Sequence, residues 1–127
     1  MKRLNVIFFI ILSFISFNVC AQDGLDNPIT KAMMKVYEQQ LEEDPSDYET
    51  YYKRAIEYYN HDQYAKALSD INNALKYIPI EENDMKFQSL CMRASIFEMT
   101  NEYDKALLDL NEAYLIDPNS YPVIYRK

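Results

Sequence analysis

The sequence predicts an all-α protein, and three observations lead there. Apolar residues recur at helical spacing almost everywhere after Pro28, and no stretch alternates as a half-buried strand would. Gly24 is the only glycine, so the turns must be built without the residue that most easily takes a left-handed backbone. The chain also repeats itself. Tyr64–Leu75 reads YAKALSDINNAL, and 39 residues further on Tyr103–Tyr114 reads YDKALLDLNEAY.

The first helix is expected over Pro28–Glu43. Asn27 can cap it, and Pro28 suits the first helical position, where its missing N–H would have been unpaired anyway. Ile29, Ala32, Met33, Val36, Tyr37 and Leu41 share one face, while Lys31, Lys35, Glu38, Glu42 and Glu43 cover the other. Asp44-Pro45 then ends the helix. Ser46 and Glu49 have the spacing of an S-x-x-E capping box, which places Ser46 as cap of a second helix running to about Asn60. His61-Asp62-Gln63 makes a tight turn. Asp62, and Asn101 in the matching turn, are residue types that tolerate a left-handed backbone. A third helix follows over Tyr64–Tyr77 and stops before Pro79. The fourth reads EENDMKFQSLCMRASIFEM, with Asn83 or Asp84 as cap, and the fifth is Tyr103–Ile116, ended by Asp117-Pro118. Asn119–Lys127 could open a sixth, capped by Ser120.

Aligning Arg54–Pro79 with Arg93–Pro118 gives ten identities in 26 positions, where composition alone would give roughly two. The matches fall where the two helices of a hairpin must touch. Ala55, Ala67 and Ala74 are small where backbones approach, as are Ala94, Ala106 and Ala113, with Tyr58 and Phe97 large in between. Such a hairpin cannot bury its apolar face alone, so the repetition reads as a stacking unit.

The first unit carries Tyr51-x2-Arg54-Ala55-x2-Tyr58, then Ala67-x3-Ile71-x2-Ala74, then Pro79. The second carries Leu90-x2-Arg93-Ala94-x2-Phe97, then Ala106-x3-Leu110-x2-Ala113, then Pro118. This pattern resembles the tetratricopeptide repeat (TPR), whose signature is W-x2-L-G-x2-Y, A-x3-F and P on a period of about 34. The resemblance implies a short right-handed α-α superhelix of TPR-type hairpins, with about two full repeats and an N-terminal capping helix. Residues 48–81 and 87–120 would be the repeats, 28–45 a capping helix or degenerate repeat, and 121–127 the start of a further helix. Tyr51 and Leu90 stand in place of the usual Trp, and Arg54 and Arg93 in place of the usual Leu. The spacing between units exceeds the family period by about five residues near Glu82–Lys86, which lengthens the fourth helix at its N-terminus.

Each unit pairs its unusual arginine with an acid, Asp70 or Asp109, one residue before the large apolar position of the second helix. A charge beside a core position needs a partner. Ion pairs Arg54–Asp70 and Arg93–Asp109 across the two hairpins are therefore expected.

Nothing in the sequence assembles a catalytic site, a metal site or a cofactor site. His61 is the only histidine and reads as a solvated turn residue. A single glycine rules out a Gly-rich phosphate loop. The acidic run LEEDPSDYE lacks the Gly turn and ligand spacing of a calcium loop and reads as a solvated junction. Cys91 has only Arg93 as a cationic neighbour in sequence, so it reads as a small half-buried apolar residue.

The first 21 residues have the layout of a secretory signal peptide. Lys2 and Arg3 precede the apolar stretch Val6–Phe17, and Val19-Cys20-Ala21 puts small residues at a cleavage site after Ala21. Two other readings stand beside it, an uncleaved anchor and a lipid anchor at Cys20, where Val19 fits the usual lipoprotein pattern poorly. The Ala21-Gln22 junction and the composition resemble those of exported Bacteroidota proteins. The net charge is −7, and the leader takes away Lys2 and Arg3 but no acid. The mature chain, a linker over 22–27 followed by a domain over 28–127, would be more acidic still. Such a surface repels phosphate backbones, so nucleic acid is disfavoured as a partner. Removal of the leader would also leave no segment for membrane insertion, and Cys91 as the only thiol.

In the TPR family the first helix of each unit lines a concave groove that binds peptides. By that resemblance the lining here is Glu49, Tyr52, Ile56, Tyr59 and Asn60 with Gln88, Cys91, Met92, Ser95 and Met99. Tyr52 and Ile56 replace the Lys and Asn that clamp a C-terminal carboxylate in some members, so no such clamp is expected. The resulting expectation is an exported, periplasmic or outer-membrane-associated, non-enzymatic module that binds a protein or peptide segment. The alternative is a structural subunit that docks into a larger complex, or self-associates, through its open C-terminal end.

Overall fold

The computed structural model describes residues 24–120, and among them there are five helices and no strand. They are α1 (Pro28–Glu43), α2 (Tyr48–Asn60), α3 (Tyr64–Tyr77), α4 (Asn83–Met99) and α5 (Tyr103–Ile116). The expected leader and the expected opening of a sixth helix at 121–127 lie outside the described residues. The chain forms two compact units divided inside α1, after Val36. In the first, Asn27 caps α1 as expected, its Oδ1 accepting the Ile29 N–H at 2.9 Å. Of the apolar face foreseen for α1, Ile29 and Val36 are 73% and 51% exposed. Only Leu41 is buried, while Tyr37 is half-buried and Ala32 and Met33 are exposed.

The second unit is built of helices packed in adjacent pairs. α2 packs on α3 and α4 on α5, α3 joins the two hairpins by packing on α4, and α2 also touches α4. Ala55, Ala67, Ile71 and Ala74 are fully buried in the first hairpin. Ala94, Ala106 and Leu110 are buried in the second, with Phe97 against them, and Leu90 and Ala113 form a further cluster. Ile96 of α4 is buried in the first hairpin's cluster, and Leu75 of α3 packs into the Leu90 cluster. Each hairpin thus lends an apolar side chain to its neighbour.

The hairpin turns match atom for atom. Asp62 and Asn101 take left-handed φ values of 59° and 61°. The Gln63 N–H reaches the Tyr58 carbonyl at 2.8 Å, and the Glu102 N–H reaches the Phe97 carbonyl at 2.7 Å. The Asp62 and Asn101 N–H groups bond to the Tyr59 and Glu98 carbonyls, both at 3.1 Å. This is a Schellman closure with an acid or amide where glycine is usual. The Tyr64 and Tyr103 hydroxyls return to Asp62 and Asn101 at 2.8 and 2.9 Å. Ile78 ends α3 in an extended conformation because Pro79 disfavours a helical residue before it.

The caps depart from the sequence reading. Asp47, not Ser46, caps α2, accepting the Thr50 N–H at 3.2 Å and the Thr50 hydroxyl at 2.6 Å. Ser46 instead donates to Asp44 Oδ1 from both its N–H and its hydroxyl. The carboxylate one residue nearer the helix wins the cap, and Glu49 makes no capping box. α4 starts with Glu82 at its cap position and no side-chain cap from Asn83 or Asp84. It is longer than α2, 17 residues against 13, as the wider spacing between units required. The extension puts Lys86 where the first unit has its capping Asp47, and Lys86 pairs with Glu112 at 3.2 Å instead. Ser89, the counterpart of Thr50, therefore lost its acid, and its buried Oγ has no hydrogen-bond partner.

Candidate functional site

The two arginines form the ion pairs foreseen for them, both bidentate. Arg54 Nε and Nη2 donate to Asp70 Oδ2 and Oδ1, each at 2.7 Å. Arg93 Nε and Nη2 donate to Asp109 Oδ2 and Oδ1 at 2.7 and 2.6 Å. Each pair ties the first helix of a hairpin to the second. The hydrogen bonds to the carboxylates raise both guanidinium pKa values, against the opposing effect of burial. Arg54 also lies between two rings, 6.0 Å from the Tyr51 centroid and 5.9 Å from Tyr58. Arg93 has a third contact, donating from Nη1 to Asn72 Oδ1 of α3 at 3.0 Å, which links the two hairpins. Lys66 over Tyr58 and Lys105 over Phe97, at 5.6 and 5.5 Å, repeat one more contact in both units.

Among the residues expected to line a groove, α2 supplies Glu49, Tyr52, Ile56, Tyr59 and Asn60, and α4 supplies Gln88, Cys91, Met92, Ser95 and Met99. The contact of α2 with α4 brings part of this set together. Tyr52, Tyr59 and Met92 all pack against the first hairpin's core cluster. Tyr52 lies close enough to Cys91 for the two to interact electrostatically. Burial raises the Tyr52 phenol pKa, and the Cys91 thiolate raises it further. Tyr59 meets Tyr64 edge to face at 5.7 Å between centroids. The Ser95 hydroxyl is turned back onto the Cys91 carbonyl at 3.1 Å. Glu49, Asn60, Gln88 and Met99 are exposed. The surface thus has a half-buried aromatic and sulfur-rich floor, with exposed side chains at its edges. At one end Tyr48 stands among carboxylates. Its own partial burial raises its pKa first, followed by Glu82, Glu49, Asp47 and Glu81.

His61 is less solvated than its turn position foretold. Its side chain is 19% exposed, with Nε2 3.9 Å from Glu57. No group of three or more potential metal ligands occurs among the described residues. No described helix is long and apolar enough to cross a membrane.

The sequence reading missed a concavity on another part of the molecule. Leu68 and Asn72 of α3, Arg93 and Phe97 of α4, and Lys105, Leu108, Asp109 and Glu112 of α5 line an open cleft of about 520 Å³. It shares no residue with the α2/α4 surface. Its polar groups are already engaged: Arg93 with Asp109 and Asn72, Lys105 with Glu102 at 2.6 Å, and Glu112 with Lys86. The signal for it was the repeat itself, since α4 packs on both α3 and α5 and leaves a cleft where the three helices meet.

No protein-family model matches the sequence, and no curated protein matches it.

Proposed function

We propose that this chain is an exported, non-catalytic interaction module of TPR type, a short right-handed superhelix that holds a peptide or protein segment along the α2/α4 surface. The observation that carries this reading is the agreement of the two hairpins in turn, ion pair, cation–ring contact and buried alanines, at a constant offset along the chain. Repeats of this kind stack to expose one continuous face. The face formed by α2 and α4 has the composition of an adaptable binding surface. Tyr provides contact area at low entropic cost, and Met adapts its shape. The carboxylates around Tyr48 favour a segment with basic character at that end. The apolar N-terminal run with its basic start supports export to the periplasm or outer membrane.

Tyr52 and Tyr59 pack against the core, so their truncation would weaken folding as well as binding. Exposed positions make cleaner probes. The chain would be cross-linked in its native compartment, beside Gln88→Arg and Met99→Glu variants. One stoichiometric partner, lost in both variants while thermal stability holds, supports the groove. A partner retained by both refutes it.

The alternative is docking or self-association through the C-terminal end. Leu108 and Leu115 of α5, 68% and 80% exposed, favour it. A partner lost on Leu115→Glu but kept by the α2/α4 variants would select that reading.

A further inference from the structure

α5 turns to solvent a face that α3, its counterpart 39 residues earlier in the chain, uses to receive α4. On α3, Leu68 packs against the cluster that holds Ile96, Leu75 packs against the Leu90 cluster, and Asn72 accepts from Arg93. The same positions on α5 are Leu107, Tyr114 and Asn111. Leu107 is 48% exposed, and Asn111 is exposed as well. Two further positions set the helices apart. Where α3 carries Ser69 and Lys76, both exposed, α5 carries Leu108 and Leu115, which are still more exposed than Leu107. A helix stacked on α5 as α4 is stacked on α3 would leave these two leucines in water, as it leaves Ser69 and Lys76. The apolar face of α5 is therefore wider than the repeat needs.

That face is also symmetric along the helix. Leu107 and Leu108 lie four and three residues before Asn111, and Tyr114 and Leu115 lie three and four residues after it. At helical spacing all five share one side. When two such helices pack antiparallel about a two-fold axis, each residue before the axis meets one after it. With the axis at Asn111, Leu108 meets Leu115 of the second copy, and Leu107 meets its Tyr114. The two Asn111 amides then face each other. An amide is both donor and acceptor, so the polar centre can satisfy itself and fix the register. A foreign helix would call for no such symmetry.

We propose that α5 pairs with α5 of a second copy, antiparallel about a two-fold axis at Asn111. This names the partner for self-association through the C-terminal end, and it rests on that reading. The α2/α4 surface lies on other helices and takes no part. A single helix pair covers less than the roughly 800 Å² per partner of a standard interface, so the association should be weak.

Sedimentation equilibrium of the chain from Gln22 to Lys127, between about 1 and about 500 μM, should show monomer and dimer in exchange. Leu108→Ser with Leu115→Lys gives α5 the residues that α3 carries at those positions. This double variant should weaken the dimer at least about tenfold, while the melting temperature of the dilute monomer holds. A monomer throughout overturns the proposal and self-association with it, and leaves only docking of a different protein. A dimer that the double variant keeps overturns the proposal but not self-association. Cysteines in a Cys91→Ser background read the orientation without relying on that variant. Under mild oxidation Leu108→Cys should link to Leu115→Cys when the two variants are mixed, and neither should link to itself. Self-linking, or no link at all, overturns the antiparallel pair.

Discussion

Replacing Arg54 by leucine should cost more than replacing its partner Asp70. The side chain of Asp70 is 4% exposed and that of Arg54 21%. Arg54→Leu leaves a buried carboxylate with no cation, and breaking a buried pair from one side costs about 3–5 kcal/mol. It also removes the two ring contacts of the guanidinium, each worth about 0.5–1 kcal/mol where partly exposed. Asp70→Leu leaves a cation that keeps those rings and some water, so about 2 kcal/mol is expected, below the range for a fully buried orphan charge. Against a total stability of about 5–15 kcal/mol, the first change alone should lower the melting temperature by upward of about 15 °C. The double variant, with leucine at both places, removes the orphan charge and should recover most of the loss. Urea unfolding followed by circular dichroism, arranged as a double-mutant cycle, reads all three values. The reasoning fails if Asp70→Leu is as costly as Arg54→Leu, or if the double variant is no more stable than Arg54→Leu.

Three other outcomes follow from the caps and buried polar groups. Asp47→Ala should destabilise by about 1 kcal/mol and Ser46→Ala by much less, since Asp47 caps α2; equal effects in thermal melts would restore Ser46 as the cap. Ser89→Ala should be neutral or stabilising by up to about 1 kcal/mol, because it removes a buried hydroxyl without a partner; a clear loss of stability in urea would mean that Oγ is satisfied. Tyr52 should ionise above the ordinary tyrosine value of about 10, so Tyr52→Phe should remove a late component from the phenolate absorbance titration. Cys91→Ser should move that component down only partly, since burial is the larger cause. The sign for stability follows: the raised pKa favours folding below about pH 10, and that contribution is lost as pH rises through the folded-state value.

The sequence was most legible where one residue had one physical option. Tyr64–Tyr77 and Tyr103–Ile116 lie between a left-handed turn and a proline, and their bounds match the expected ones. The arginine–aspartate pairs were readable because a charge at a core position demands a partner. The caps were harder, because Ser46, Asp47 and Asp44 all offer oxygens within one turn. Geometry alone decides which of them reaches the Thr50 N–H. The face of α1 misled for another reason. Helical periodicity says which side chains share a face, but not whether anything packs against it. The candidate binding surface was legible as a set of positions on α2 and α4. The engagement of Tyr52, Tyr59 and Met92 with the core was not, because helical spacing says which side chains share a face and not how deeply each one packs. The α3/α5 cleft belongs to no single segment, and only the stacking of two hairpins creates it.

The exchange of Ile96 and Leu75 between hairpins has a consequence for how the chain is made. A ribosome delivers the first hairpin, through Tyr77, well before Ile96 appears. Until then the pocket among Ala55, Ala67, Ile71 and Ala74 lacks its largest donated side chain. The core of the first hairpin is therefore complete only once α4 has been made.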